Sequence, residues 1–206
     1  MQIETFTVGM LSTNCYVVSC ADTNEAIIID PGLDFLSEAK PITDYIEKGQ
    51  LKIKYVVNTH GHSDHIKGNA FFQEKFNVPV CIHSFDAYFL ETLKMAKSSA
   101  IHLLEDGSLI NFGNETLKVL HTPGHTRGCI CLTSEHLVFS GDTLFAGSIG
   151  RTDFPEGSMS DMSCSLDKIK QLPDILLVYP GHGATSIIGE EKRINPFLTR
   201  GIGFMF

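Results

Sequence analysis

The segment Thr59-His60-Gly61-His62-Ser63-Asp64-His65 constrains the fold of this chain more than any other. Three imidazoles and a carboxylate fall within six residues, directly after the β-type run Tyr55-Val56-Val57-Asn58. Buried without partners, such groups cost about 2 kcal/mol or more each. Arranged around a cation, they satisfy one another. Gly61 and the short Ser63 let the backbone fold tightly enough for ligands to converge, and Asp64 and His65 open the next helix. An H-x-H-x-D-H loop therefore requires a strand end behind it and further ligands from elsewhere in the chain.

Three more segments offer them, each a strand-like run that ends in a Gly-containing turn. Leu117 to Leu120 leads to Thr122-Pro123-Gly124-His125, and Leu137 to Phe139 leads to Ser140-Gly141-Asp142. Leu176 to Tyr179 leads to Pro180-Gly181-His182-Gly183. Loops at strand ends are where scaffolds usually carry function. Together the four loops supply five histidines and two aspartates, enough for two adjacent divalent metals that share a carboxylate and a solvent oxygen.

Short β-type runs recur along the chain: 3–8, 15–19, 26–29, 55–58, 78–82, 117–121, 129–133, 137–140 and 176–179. Helical patterns interleave with them. Residues 36–48 have apolar positions at Leu36, Ile42, Tyr45 and Ile46, 67–76 places Phe72 and Phe76 four apart, and 158–172 carries Met162, Leu166 and Ile169. This order predicts an α+β fold, two sheets packed together with helices outside. Hairpin-like spacing among the first three strands and around Thr133 to Leu137 predicts antiparallel content. Without repeat or linker, residues 1–206 read as one domain.

The net charge of −8, from 16 Lys+Arg and 24 Asp+Glu, is the wrong sign for a nucleic-acid binder. No apolar stretch approaches the roughly 20 residues that span a bilayer, and residues 1–6 do not form a secretory signal. The expected location is the cytoplasm, with the six cysteines reduced and Cys129 and Cys131 as small core hydrophobes. His83, His102 (in an apolar helical stretch), His121 and His136 match no ligand motif, and Phe71 and Phe72 read as core.

The sequence resembles the metallo-β-lactamase-fold hydrolases, and within them the short single-domain glyoxalase II-like (hydroxyacylglutathione hydrolase) branch. The likeness runs from about Met10 to Phe197 and includes Ile29-Asp30-Pro31-Gly32, Gly150-Arg151-Thr152-Asp153-Phe154-Pro155, Ile188-Gly189-Glu190-Glu191-Lys192 and Asn195-Pro196-Phe197. It implies an αβ/βα sandwich with metals at one edge of the paired sheets. Carried over by motif, His60, His62 and His125 hold a first metal, Asp64, His65 and His182 a second, and Asp142 bridges. Asp30 orients a ligand from outside that shell. Only about 24 residues follow His182, so the C-terminal helical segment through which longer glyoxalase II enzymes contact glutathione is missing or reduced.

The resemblance implies a metal-dependent hydrolase acting on a small-molecule thioester, such as S-lactoylglutathione, through a metal-bridging hydroxide, with Asp64 and Asp142 as catalytic carboxylates. A thiolate departs without a strong acid behind it, whereas a lactam nitrogen must be protonated. The all-nitrogen-and-oxygen ligand set accepts zinc, iron or manganese, and two zinc ions are the expected cofactor. Arg151 pairs either with an anionic substrate group or with Asp153. Lys192 is a candidate substrate contact unless it belongs to a solvated helix face. The rival reading is a mononuclear iron persulfide dioxygenase of the same fold, with iron on His60, His125 and Asp142.

Overall fold

The computed structural model describes residues 1–201. Its first half builds one sheet from strands β1 (Gln2–Val8), β2 (Thr13–Ser19), β3 (Glu25–Ile29), β4 (Lys52–Val57), β5 (Val80–His83) and β6 (Ile101–Leu104), in that spatial order. β1, β2 and β3 pair antiparallel, and β3 through β6 run parallel. The second sheet holds β7 (Leu109–Phe112), β8 (Glu115–His121), β9 (Ile130–Thr133), β10 (Leu137–Gly141), β11 (Leu177–Pro180) and β12 (Ser186–Ile187). Here β7 to β10 form an antiparallel meander, β10 and β11 are parallel, and β12 closes antiparallel.

Strand periodicity sorts the apolar residues into three layers. Tyr16, Val18, Ile27, Ile29, Val57, Phe112, Val119, Leu132 and Phe139 fill the space between the sheets. Their alternates Cys15, Val17, Ile28 and Val56 face the outer helices of the first sheet, and Cys131, Val138 and Val178 those of the second. Strand β2 is buried along its whole length, as a strand covered on both faces must be.

Helices α1 (Ala39–Lys48), α2 (Ser63–Ile66), α3 (Asn69–Phe76) and α4 (Ala87–Thr92) belong to the first half. Helices α5 (Met159–Lys170), α6 (Ile188–Ile194) and α7 (Pro196–Thr199) belong to the second. Ser158 caps α5 by accepting from Asp161 N, and Met162, Leu166 and Ile169 bury the face their spacing predicts. The two-sheet arrangement with outer helices is the one expected. Two local expectations fail. Leu36 lies in a single 3-10 turn before α1 and is 71% exposed. His102 sits on strand β6, not on a helix. The helical pattern over 67–76 is α3, which starts two residues later at Asn69, with the separate short α2 before it.

Among the described residues no helix is long and apolar enough to cross a membrane.

Candidate metal centre

All four ligand loops leave the C-terminal ends of strands on one edge of the sandwich. The loop after β4 carries His60 to His65, and those after β8, β10 and β11 carry His125, Asp142 and His182. Backbone hydrogen bonds stitch the sheets together here. Asn14 N donates to Gly181 O at 2.7 Å and Ile130 N to Thr59 O at 2.9 Å. Tyr16 hydroxyl donates to Pro180 O at 2.5 Å, and Asn14 Nδ2 to Pro180 O and Gly183 O at 3.0 and 2.9 Å.

The structure brings the seven sequence-derived ligands to one spot. In the first group, His60 Nε2 lies 3.1 Å from His62 Nδ1, which lies 2.8 Å from His125 Nε2. In the second, His65 Nε2 is 3.2 Å from His182 Nε2 and 3.5 Å from Asp64 Oδ2, and His182 Nε2 is 3.3 Å from Asp64 Oδ2. Asp142 faces both, with Oδ2 at 3.4 Å from His125 Nε2 and Oδ1 at 3.4 Å from His65 Nε2.

Donors around a tetrahedral cation with bonds of about 2.0–2.1 Å sit about 3.3 Å apart, so each group has the spacing to hold one. Asp142 Oδ1 supports the fit independently: it is buried and accepts no hydrogen bond, a costly state that a cation relieves. The field at His65 agrees. Burial disfavours its charge, yet Asp142, Asp30 and Asp64 lift its pKa to about 9, so positive charge is drawn to this spot. Burial and the neighbouring imidazoles hold His60 neutral, well below the usual histidine range. Burial also opposes the charge on Asp64, but His182 and His65 carry its pKa down.

Outer hydrogen bonds aim the rings. His65 Nδ1 meets Asp30 Oδ2 at 3.0 Å, His125 Nδ1 meets Arg151 O at 2.7 Å, and His182 Nδ1 meets Leu11 O at 3.0 Å. Each leaves Nε2 for the centre. Asp30 also accepts from Thr59 N at 2.8 Å and Thr59 Oγ1 at 2.6 Å, and it adopts a left-handed backbone, φ 50°, that places it beneath the ligand loop. Glycine at 181 is obligatory, since a Cβ there would stand 2.2 Å from Asp142 Oδ1 and 2.8 Å from His65 Cε1.

The centre opens into a cleft of about 630 Å³ walled by Leu11, Phe145, Phe154, Arg151 and Glu156. Arg151 is held by Asp153 through two bonds of 2.7 Å and lies 4.1 Å over the Phe154 ring. Lys192 does not line the cleft: its Nζ is bound at 2.6 Å to both Leu172 O and Asp174 Oδ1, beside α6.

One buried residue that braces these loops carries no mark in the sequence. Asp86, fully buried, accepts from Gly61 N at 2.8 Å, Thr126 Oγ1 at 2.6 Å and Gly128 N at 2.8 Å. It braces the loop of His60 and His62 against the loop of His125. No motif marks it, because its three partners come from two other loops.

The chain matches the Metallo-beta-lactamase superfamily over residues 8–182. Hydroxyacylglutathione hydrolase GloC of Haemophilus influenzae is 33% identical over 213 residues, which span 96% of this chain and 98% of that protein. In structure the chain is similar to ETHE1 from Myxococcus xanthus, with a TM-score of 0.85 at 30% identity over 97% of this chain and 85% of that one. It is also similar to TTHA1623 in a di-iron-bound form, with a TM-score of 0.80 at 31% identity over 95% and 100% of the two chains. Sequence, fold and the gathered histidines and aspartates agree that this chain belongs to the metallo-beta-lactamase superfamily.

Proposed function

We propose that the protein is a binuclear metal-dependent thioesterase that hydrolyses S-lactoylglutathione or a related acyl-thiol. The observation that carries this reading is Asp142, whose carboxylate lies 3.4 Å from a histidine of each ligand group, Oδ1 from His65 and Oδ2 from His125, with Oδ2 also 3.6 Å from His182. One carboxylate serving two sites is what a pair of cations needs. When bound, two divalent ions supply an acidified water and a Lewis acid for the acyl oxygen. Zinc, iron and manganese all suit the donors.

The side chains do the rest. Asp64, kept ionised by His182 and His65, would hold the second ion together with them. Phe145, Phe154 and Leu11 limit the water that reaches the acyl carbon. In the overall step the oxygen of water bonds to that carbon, the C–S bond breaks, and a carboxylic acid and a thiol leave. A thiol of ordinary pKa near roughly 8.5 departs without a strong acid behind it. The likeness to GloC, named as a hydroxyacylglutathione hydrolase, supports this substrate class.

The persulfide dioxygenase reading uses only His60, His125 and Asp142. It leaves Asp64 and His182, 3.3 Å apart and aimed at the same point, without a task. The deciding experiment supplies the metal-loaded protein with S-lactoylglutathione and, separately, glutathione persulfide while oxygen is monitored. Thioester cleavage without oxygen uptake is expected, with Asp142→Ala reducing it at least a hundredfold. Oxygen uptake on the persulfide with no thioester cleavage overturns the proposal.

A further inference from the structure

Beyond Glu156 the cleft wall continues into a second hollow of about 310 Å³, lined by Phe85, Tyr88, Arg127, Pro155 and Glu156. Glu156 belongs to both spaces, so a ligand seated at the metal centre can pass over it. The hollow is built on a rigid frame. Arg127 O accepts from His121 Nε2 at 2.8 Å, and its two neighbours, Thr126 and Gly128, both donate to Asp86. The Arg127 side chain is exposed and, among the described residues, makes no ion pair.

Glu156 has no ion pair among the described residues either, and accepts one long bond, from the Tyr88 hydroxyl at 3.4 Å. Phe85 and Tyr88 leave 58% and 43% of their surface exposed around this pair of charges. A cation and an anion sharing one hollow without pairing to each other match a ligand end that carries both charges. A doubly anionic end would meet Glu156, and a neutral end would leave both groups unused. Arg151 differs, being already tied to Asp153.

The reach is right as well. The His62 ring is 6.0 Å from Phe89, which stacks on Tyr88 at 4.2 Å. Tyr88 is thus no more than about 10 Å from a metal ligand, the length of an extended tripeptide.

We propose that this hollow is an outer subsite for a zwitterionic α-amino-acid end on the substrate's thiol arm, the carboxylate on Arg127 and the ammonium on Glu156. Phe85 and Tyr88 cover the intervening methylenes. This assignment rests on the thioesterase reading and narrows it to peptide-like thiols with a free α-amino-acid terminus, of which a γ-glutamyl group is one.

The test combines turnover with binding. Arg127→Ala is expected to raise KM for S-lactoylglutathione about tenfold with kcat within about twofold, the loss of one charge-assisted contact. It is expected to leave kcat/KM unchanged for S-lactoyl-N-acetylcysteamine, which lacks the amino-acid end. By calorimetry, S-methylglutathione is expected to bind Arg127→Ala about tenfold more weakly, and wild type to lose a similar factor when the ligand's α-amine is acetylated. Equal impairment of both thioesters, or unchanged affinity for S-methylglutathione, overturns the subsite. If neither thioester turns over, the hydrolase reading falls, and the binding comparison still decides the subsite.

Discussion

Asp30 and His65 meet through Oδ2 and Nδ1 at 3.0 Å, both of them buried. This contact fixes which nitrogen His65 presents to the candidate metal centre. Asp30→Asn keeps the shape and tolerates the left-handed backbone, but it removes the charge and one acceptor. Metal affinity is expected to fall about 10–100-fold, measured by competition with a chromogenic chelator. Unchanged affinity would show that the ring needs no carboxylate behind it.

Gly181→Ala should separate folding from metal binding. Its methyl group would press hardest on Asp142 Oδ1 and His65 Cε1, with the Gly141 backbone next at 3.1 Å. Elemental analysis is expected to find well under two metals per chain, while far-UV circular dichroism of the metal-free protein matches wild type. Full metal content in the variant would mean that the loop yields without cost.

Asp86→Ala strands three donors, Gly61 N, Thr126 Oγ1 and Gly128 N. A buried unsatisfied donor costs about 1–3 kcal/mol, and some of the three can reach water. The expected loss is about 3 kcal/mol in urea unfolding at unchanged m value. A loss below about 1 kcal/mol would show that the brace is redundant.

His83 supplies the pH dependence. Its ring is buried, stacks on His121 at 4.1 Å, and leaves Nε2 without a hydrogen bond. Burial first, then His121, pushes its pKa down from 6.5 to about 4. Between those values the unfolded chain takes up a proton that the folded one refuses. The contribution of the neutral ring is therefore complete above about pH 6.5 and is lost as pH falls toward about 4. Urea unfolding of wild type and His83→Phe at pH 7 and pH 5 should show a shallower decline in the variant. Parallel declines would assign the pH dependence to other groups.

The metal loops were legible because their chemistry is local: the 60–65 segment packs four ligand-type side chains into six residues, and no core or surface strand tolerates that. The strands behind them were legible from β-branched runs whose alternate residues now fill different layers. Strand β6 was not. Its His102 and Leu103 are both exposed, so the edge shows no alternation, and only pairing with β5 makes it a strand. Asp86 and Arg127 were invisible for a related reason. An isolated aspartate or arginine acquires meaning only from loops that converge on it in space. Lys192 was misplaced because nearness to His182 in sequence says nothing of which way a helix turns its side chains.

The ligands reach the centre from opposite halves of the sandwich: His60, His62, Asp64 and His65 follow a strand of the first sheet, while His125, Asp142 and His182 follow strands of the second. Ions held there would act as a clasp. Each would fasten one six-stranded half to the other at the end where the cleft opens. Stripping the metal should therefore loosen this seam before it disturbs the apolar filling between the sheets, coupling the working state of the site to the cohesion of the whole molecule.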